Sequence, residues 1–320
     1  MNRNIKTSSI TEAAMITGIL VVIAYLSSFF TIIMFFYPIP AIILGRRKGF
    51  KYAVLALVAS DIIISMLLGL QEGLMFLIMY TPLSAALTYG VCKDADPNQT
   101  ILYGAAAYMI SFVVFILILN AVMGINFIER IAETYDQSFE MSKDFFNSIP
   151  DDLRTQQIEQ SIKQIEEMAP LMNAVITNVF PAIMIIASVT TSYINYIFAC
   201  KFARRFSINV KQHEGISYFS FPKNFMIAMA GLLLLSFLLS ALKINVEIIQ
   251  LNLFTIVFCA MILQGFAVLK FFVDKIRAGK FVRILLLVMI VIMSMNFGMI
   301  YAIVGLIDLT VNLRKINRAV

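Results

Sequence analysis

An all-α, polytopic transmembrane helix bundle is the fold class this sequence predicts, and three observations predict it. Hydrophobic residues make up 60% of the 320 and charged residues 14%, and mean hydropathy is +0.87, whereas soluble domains are roughly half apolar and one quarter charged. Several apolar runs reach about twenty residues, the length of helix that crosses about 30 Å of hydrocarbon. The runs lack the alternation of barrel strands, and backbone groups left unpaired in lipid are prohibitive, so helix is the conformation that remains.

Taken in order, the chain predicts about eight to nine spans. Arg3 and Lys6 precede a first helix at 10–29, and a short run at 31–44 follows, broken by Pro38 and Pro40 and closed by Arg46, Arg47, Lys48 and Lys51. A third helix occupies 52–70. Gln71 and Glu72 mark a tight turn into a fourth that ends near Cys92, and a fifth runs over 101–124. The segment 127–170 interrupts this pattern with ten acidic and four basic residues, in a chain whose formal total is +6. A sixth helix at 171–199 is closed by Lys201, Arg204 and Arg205; a polar linker leads to a seventh at 224–242, an eighth at 248–272 and a last run at 284–312. The organisation expected is a six-helix bundle over 1–205 that includes the acidic insertion, a cytoplasmic linker at 206–223, and C-terminal transmembrane helices over 224–320.

Orientation follows from lysine and arginine near the helix ends. With the N-terminus in the cytoplasm, the loops at 46–51, 93, 201–223 and 270–283 fall inside. Together with Arg3 and Lys6 they hold 17 of the 25 basic residues. The expected location is the plasma membrane, with 127–170 extracytoplasmic. Arg314, Lys315 and Arg318 also favour the cytoplasm, which a single ninth crossing forbids. The last run, with Asn296 and Gly298 in its middle, is either two half-crossings that return the tail inside, the preferred reading, or one tilted helix with the tail outside.

The acidic segment has helical periodicity. Ile158, Ile162, Ile165 and Ala169 form one apolar stripe after a start at Pro150, Asp151 and Asp152, and Ile128, Ile131, Tyr135 and Phe139 form a looser one upstream. Two amphipathic helices joined near 147–150 would bury these stripes on each other or lie along the membrane; the alternative is a solvated spacer with nascent helix.

Chemistry has few places to reside. The chain has no Walker A sequence, no Gly-rich dinucleotide turn, no H-E-x-x-H and no C-x-x-C. Its one histidine, His213, rules out a His-rich metal site, so no cofactor and no metal are expected, and no enzyme activity. The basic balance is explained by membrane orientation, without nucleic acid. Ionisable groups inside the bilayer cost a few kcal/mol each and mark a site or a buried pair. Asp61, mid-way along the third helix beside Ser60 and Ser65, is a ligand for solute or proton, or else a packing carboxyl. Gln71, Glu72 and Asn120 complete the ligand-binding candidates, and Asp308 faces an interface. Asn195, Gln264 and Asn296 are interhelical hydrogen-bond candidates. Small residues at helical spacing, Ala14 and Gly18, Ala86 and Gly90, and Gly298, Ala302 and Gly305, let backbones approach closely.

Two resemblances add expectations. The stretch Gln264-Gly-Phe-Ala-Val-Leu-Lys-Phe-Phe, then Gly305-Leu-Ile-Asp308-Leu and the basic tail, together with Asn195-Tyr-Ile-Phe-Ala, Arg204-Arg205 and Phe219-Ser-Phe-Pro222, resemble the YybS-like family of bacterial membrane proteins over essentially the whole chain. The first six helices are distantly similar to the substrate-capturing S components of energy-coupling-factor transporters. That likeness implies partner docking through Ala14 and Gly18 to a coupling subunit, and Gln71 and Glu72 among pocket residues. The chain departs from S components in its acidic insertion and its extra C-terminal helices. The function expected is a transporter-like, solute-capturing component without its own ATPase; the alternative is a membrane scaffold or assembly factor that recruits a partner through the extracytoplasmic helices.

Overall fold

Gly49 and Gly69, each at φ +104°, bracket the helix that carries Asp61, a backbone angle that glycine adopts without a Cβ penalty. The computed structural model describes residues 2–124, 126–150 and 156–316. Among these the chain is helical throughout, without strands. α1 spans Asn2–Ser27, α2 Pro38–Lys48, α3 Phe50–Leu68, α4 Leu70–Met75, α5 Thr81–Cys92 and α6 Pro97–Met123. α7 spans Phe127–Asn147, α8 Gln156–Arg205, α9 Lys223–Ala241, α10 Glu247–Lys275, α11 Lys280–Asn296 and α12 Gly298–Val311. Among the described residues seven helical stretches are long and apolar enough to cross a membrane, and an eighth is added if α11 and α12, bent by 107° at their junction, count as one.

Three expectations need correction in detail. The run at 31–44 is a 3₁₀ turn, Thr31–Phe36, followed by α2. Pro38 stands at the start of α2, where its missing N–H leaves no bond unmade. The sixth helix does not begin at 171: α8 is one helix of 50 residues from Gln156, so the second amphipathic helix and the span after it are continuous. Its expected start at Asp151 and Asp152 lies outside the described residues. The fourth helix is interrupted by a π-helical turn, Phe76–Tyr80, between α4 and α5.

The chain divides into two compact units, Met1–Pro170 with Met184–His213, and Leu171–Ile183 with Glu214–Val320. In the first, α1 lies on α3, with Thr17 Oγ1 donating to Ala56 O at 3.2 Å from a buried stripe of Ala13, Thr17, Leu20 and Ala24. Gly90 admits Thr100 of α6, and Ser192 Oγ of α8 donates to Ile101 O at 2.6 Å. Glu12 pairs with Lys48 at 3.1 Å and Arg47 at 3.6 Å. That pairing brings the end of α2 back to the end of the unit where α1 begins, so the short broken run reverses the chain direction. Lys143 of α7 pairs with Glu166 of α8 at 3.0 Å, while Tyr135, Met141 and Phe145 of α7 stay exposed.

In the second unit, α10 and α12 cross at two glycines. A Cβ on Gly265 would stand 2.0 Å from Tyr301 O, and one on Gly305 2.1 Å from Met261 O, so the crossing is set by main chain against main chain. Asn252 of α10 mends α8 near Pro181. Ala182 N donates to Asn252 Oδ1 at 2.8 Å, and Asn252 Nδ2 donates to Asn178 O at 2.7 Å, the two backbone groups that would otherwise bond each other across one helical turn.

Candidate functional site

Asp61 is 3% exposed, and each of its carboxylate oxygens has a hydroxyl donor. Tyr37 Oη donates to Oδ1 at 2.8 Å, and Thr81 Oγ1 donates to Oδ2 at 2.7 Å. Ser60 Oγ lies 2.8 Å from Tyr37 Oη, and Ser65 Oγ donates to Asp61 O at 2.8 Å. Both donors stand where the helical hydrogen-bond pattern changes. Tyr37 is the joint between the 3₁₀ turn and α2, and Thr81 is the first residue of α5 after the π-turn. The fully buried Tyr37 ring packs on Phe76 at 4.8 Å and on Tyr80 at 6.3 Å; Tyr80 meets Tyr108 of α6 at 5.9 Å. π-turns inside helices are frequent at functional sites, and a carboxyl within an apolar span marks a site or a buried pair.

The other sequence candidates are not drawn into this cluster. Gln71 is exposed and Glu72 half-buried on α4, which is held to α3 where Gly73 admits Ser65. Asn120 is exposed near the end of α6. Ala14 and Gly18 lie on the exposed face of α1, opposite the stripe that packs on α3, and nothing lies within 4 Å of a Cβ on Gly18. Two surface grooves, of about 270 Å³ along α11 (Ile284, Leu287, Val288, Val291, Ile292) and about 340 Å³ along α7 (Ser138, Met141, Ser142, Phe145, Phe146), contain none of these residues. Tyr37 and Thr81 escaped the sequence reading because a tyrosine and a threonine in apolar runs look like ordinary core. The available signal was Pro38 and Pro82, each directly after one of them.

The family model described as "Predicted membrane protein (DUF2232)" matches residues 14–309. The chain belongs to this family. It is 23% identical over 314 residues to the "Uncharacterized protein YybS" of Bacillus subtilis (strain 168), with 97% of this chain and 98% of that one covered. No solved structure matches the chain significantly. The YybS-like resemblance is thereby confirmed at family level.

The C-terminal segments that carried that resemblance meet in the second unit. Gln264 Nε2 donates to Asp308 Oδ2 at 2.7 Å and to Ser220 Oγ at 3.2 Å, while Gln264 Oε1 accepts from Phe221 N at 3.2 Å. Arg314, read from the sequence as one of the basic tail residues that favour the cytoplasm, is buried. Its Nη2 lies 2.9 Å from Asp308 Oδ2 and its Nη1 donates to Ser217 O at 2.7 Å. Ser217 Oγ donates to Asp274, and Lys270 Nζ donates to the same carboxylate at 2.7 Å. α12 therefore runs back to the end of the unit where α10 finishes and α11 starts.

A separate ionic cluster closes one end of the first unit. Arg46 pairs with Asp94 at 2.8 Å and donates to Asn209 O at 2.7 Å and Val91 O at 3.2 Å, and Lys211 donates to Asp94 O. Arg46 holds the exposed Asp94 carboxyl below the usual carboxylate range. Three of the loops that the charge distribution assigns to one side, those at Arg46, Asp94 and Lys211, thus touch one another.

Proposed function

We propose that this chain is a non-enzymatic, transporter-like membrane component that takes up a small solute from the outer side, without its own ATPase and without a bound cofactor. The observation that carries the reading is Asp61, buried among the apolar spans and held by hydroxyls of Tyr37, at a 3₁₀–α joint, and Thr81, after a π-turn. A carboxyl at such depth costs about 2.5–3.5 kcal/mol on insertion scales, and packing alone does not require it, since an apolar side chain would fill the space more cheaply. In this reading the N-terminus and the Arg46–Asp94 end face the cytoplasm of the plasma membrane, and α7 faces out. The exposed Ala14–Gly18 face of α1 is available to a coupling subunit, by analogy with S components. The test is purification of the wild-type protein and of Asp61→Asn in mild detergent, with mass spectrometry of small molecules released on denaturation. A species retained by the wild type and lost from the variant is expected; an identical yield from both, or none from either, overturns the proposal.

A second reading, as a scaffold, is favoured by one observation: α7 presents Tyr135, Met141 and Phe145 to solvent with no buried residue of its own. Deleting 127–170 separates the two, because a scaffold loses its partner while a solute site at Asp61 is retained.

A further inference from the structure

We propose that Asp61 binds an exchangeable monovalent cation, a proton or a sodium ion, which neutralises it in the resting protein; the inference rests on the reading of Asp61 as the transport site and names the ion coupled to it. The carboxylate receives hydrogen bonds only from neutral hydroxyls, Tyr37 and Thr81, and among the described residues no lysine, arginine or histidine pairs with it. A buried carboxylate without a countercharge is costly, and two neutral hydrogen bonds do not replace the water it has lost.

No neighbouring element supplies the missing charge. α1 has its basic residues, Arg3 and Lys6, in its first turns, before Glu12, and C-terminal to Glu12 it carries only Tyr25 among titratable groups, with that ring exposed. The basic residues of α2 stand at its far end, engaged with Asp94, Glu12 and Ser8. α4 brings only Glu72, a further negative charge, and the π-turn and α6 bring Tyr80 and Tyr108, both neutral at physiological pH. On α5 the titratable groups are the exposed Tyr89 and the Cys92 thiol at the opposite end.

The surrounding oxygens suit a small cation. Tyr37 Oη, Ser60 Oγ, Thr81 Oγ1 and both Asp61 oxygens form one connected cluster with neighbours 2.7–2.8 Å apart. A hydroxyl presents lone pairs as readily as a hydrogen. When the carboxyl carries a proton, Thr81 turns to accept it and donates instead to a carbonyl one turn back. Ser65, Ser84 and Thr88 already make that bond, to Asp61 O, Tyr80 O and Ser84 O. Sodium would compete with the proton for the same carboxylate, beside Tyr37 Oη and Thr81 Oγ1.

The test is infrared spectroscopy of the full-length protein in lipid nanodiscs, with aspartate ¹³C-labelled at the side-chain carboxyl, at pH 7 in choline chloride and then in sodium chloride. A protonated aspartyl carbonyl band is expected in choline, absent from Asp61→Asn. Persistence of the band in sodium identifies the proton as the ion, and its loss in sodium identifies sodium. Tyr37→Phe, which removes one hydrogen bond to Oδ1, shifts the same band and assigns it to Asp61 even if the asparagine variant does not fold. A spectrum without a protonated aspartyl band in choline at pH 7 overturns the inference. The band requires no solute, so a protein that retains no small molecule would still show it, and the two proposals fail separately.

Discussion

The Arg314 guanidinium closes on the Asp308 carboxylate six residues upstream, and both side chains are fully withdrawn from solvent. Gln264 donates to the same carboxylate oxygen at 2.7 Å. A buried pair of this kind is held by the cost of breaking it, since removal of one partner leaves a desolvated charge behind. Arg314→Ala and Asp308→Ala are each expected to destabilise the protein by about 3–5 kcal/mol. The double change Asp308→Leu with Arg314→Met is expected to be milder than either. Thermal unfolding in detergent, followed by circular dichroism, checks the cycle.

Close approach at Gly265 and Gly305 gives a second prediction. Because the obstructing atoms are backbone carbonyls 2.0 and 2.1 Å from the built Cβ positions, α10 and α12 must separate to accept a methyl group. Gly265→Ala and Gly305→Ala should each cost about 1–3 kcal/mol, whereas Gly18→Ala, in open space, should be neutral or slightly stabilising through helix propensity. Melting temperatures of the three variants decide it, and equal effects at all three positions would refute the crossing.

How much of this was legible in the sequence differs from residue to residue. The spans were readable because each is a long apolar run, and the break at Asn296 and Gly298 was readable because a polar and a flexible residue interrupt one. Asp61 was readable as a charge out of place. Arg314 was not, since a buried arginine and a topogenic one have the same local sequence, and only the return of α12 beside α10 brings Asp308 and Ser217 to it. Asn252 was equally silent: its partners, Ala182 N–H and Asn178 C=O, lie seventy and seventy-four residues away. The continuity of α8 past Pro170 ran against the usual bias of the residue before proline away from helix.

That bridging amide supports a third prediction. Asn252→Ala removes the amide that bridges Ala182 N–H and Asn178 C=O, at about 0.5–1.5 kcal/mol for each hydrogen bond lost. Asn252→Asp keeps the acceptor for Ala182 N–H but loses the donor, and is expected to be no better. Hydrogen exchange at Ala182, accelerated in the alanine variant and unchanged at α6, is the measurement.

The Arg46–Asp94 pair makes stability depend on pH with a definite sign. Since Arg46 lowers the carboxyl pKa in the folded state, the pair's contribution is complete above the unfolded value of about 3.9 and disappears as pH falls through the lower folded value. Arg46→Ala should therefore lower the melting temperature at pH 7 by an amount that shrinks as pH falls below about 4. On α7 the sign is opposite. Glu166 raises the Lys143 pKa, so that contribution is present below about pH 10.4 and is lost as pH rises through the folded value. Melting curves across pH for the wild type and Arg46→Ala test the first sign, and a Lys143→Ala comparison at alkaline pH tests the second.

Topology supplies the last prediction. Arg314 donates to Ser217 O, and Ser217 Oγ in turn contacts both Lys270 and Asp274 near the end of α10. The tail, the segment before α9 and the α10–α11 connection therefore share one end of the second unit. A single tilted crossing would carry the tail to the opposite face, whereas a half-crossing in by α11 and out by α12 returns it. With Cys92, Cys200 and Cys259 replaced by serine, Lys315→Cys should resist a membrane-impermeant maleimide in intact cells and react once the membrane is opened. Glu140→Cys on α7 should react in intact cells. Labelling of position 315 in intact cells while Lys275→Cys stays protected would mean that the two positions lie on opposite faces, which contacts running from Arg314 through Ser217 to Asp274 do not permit.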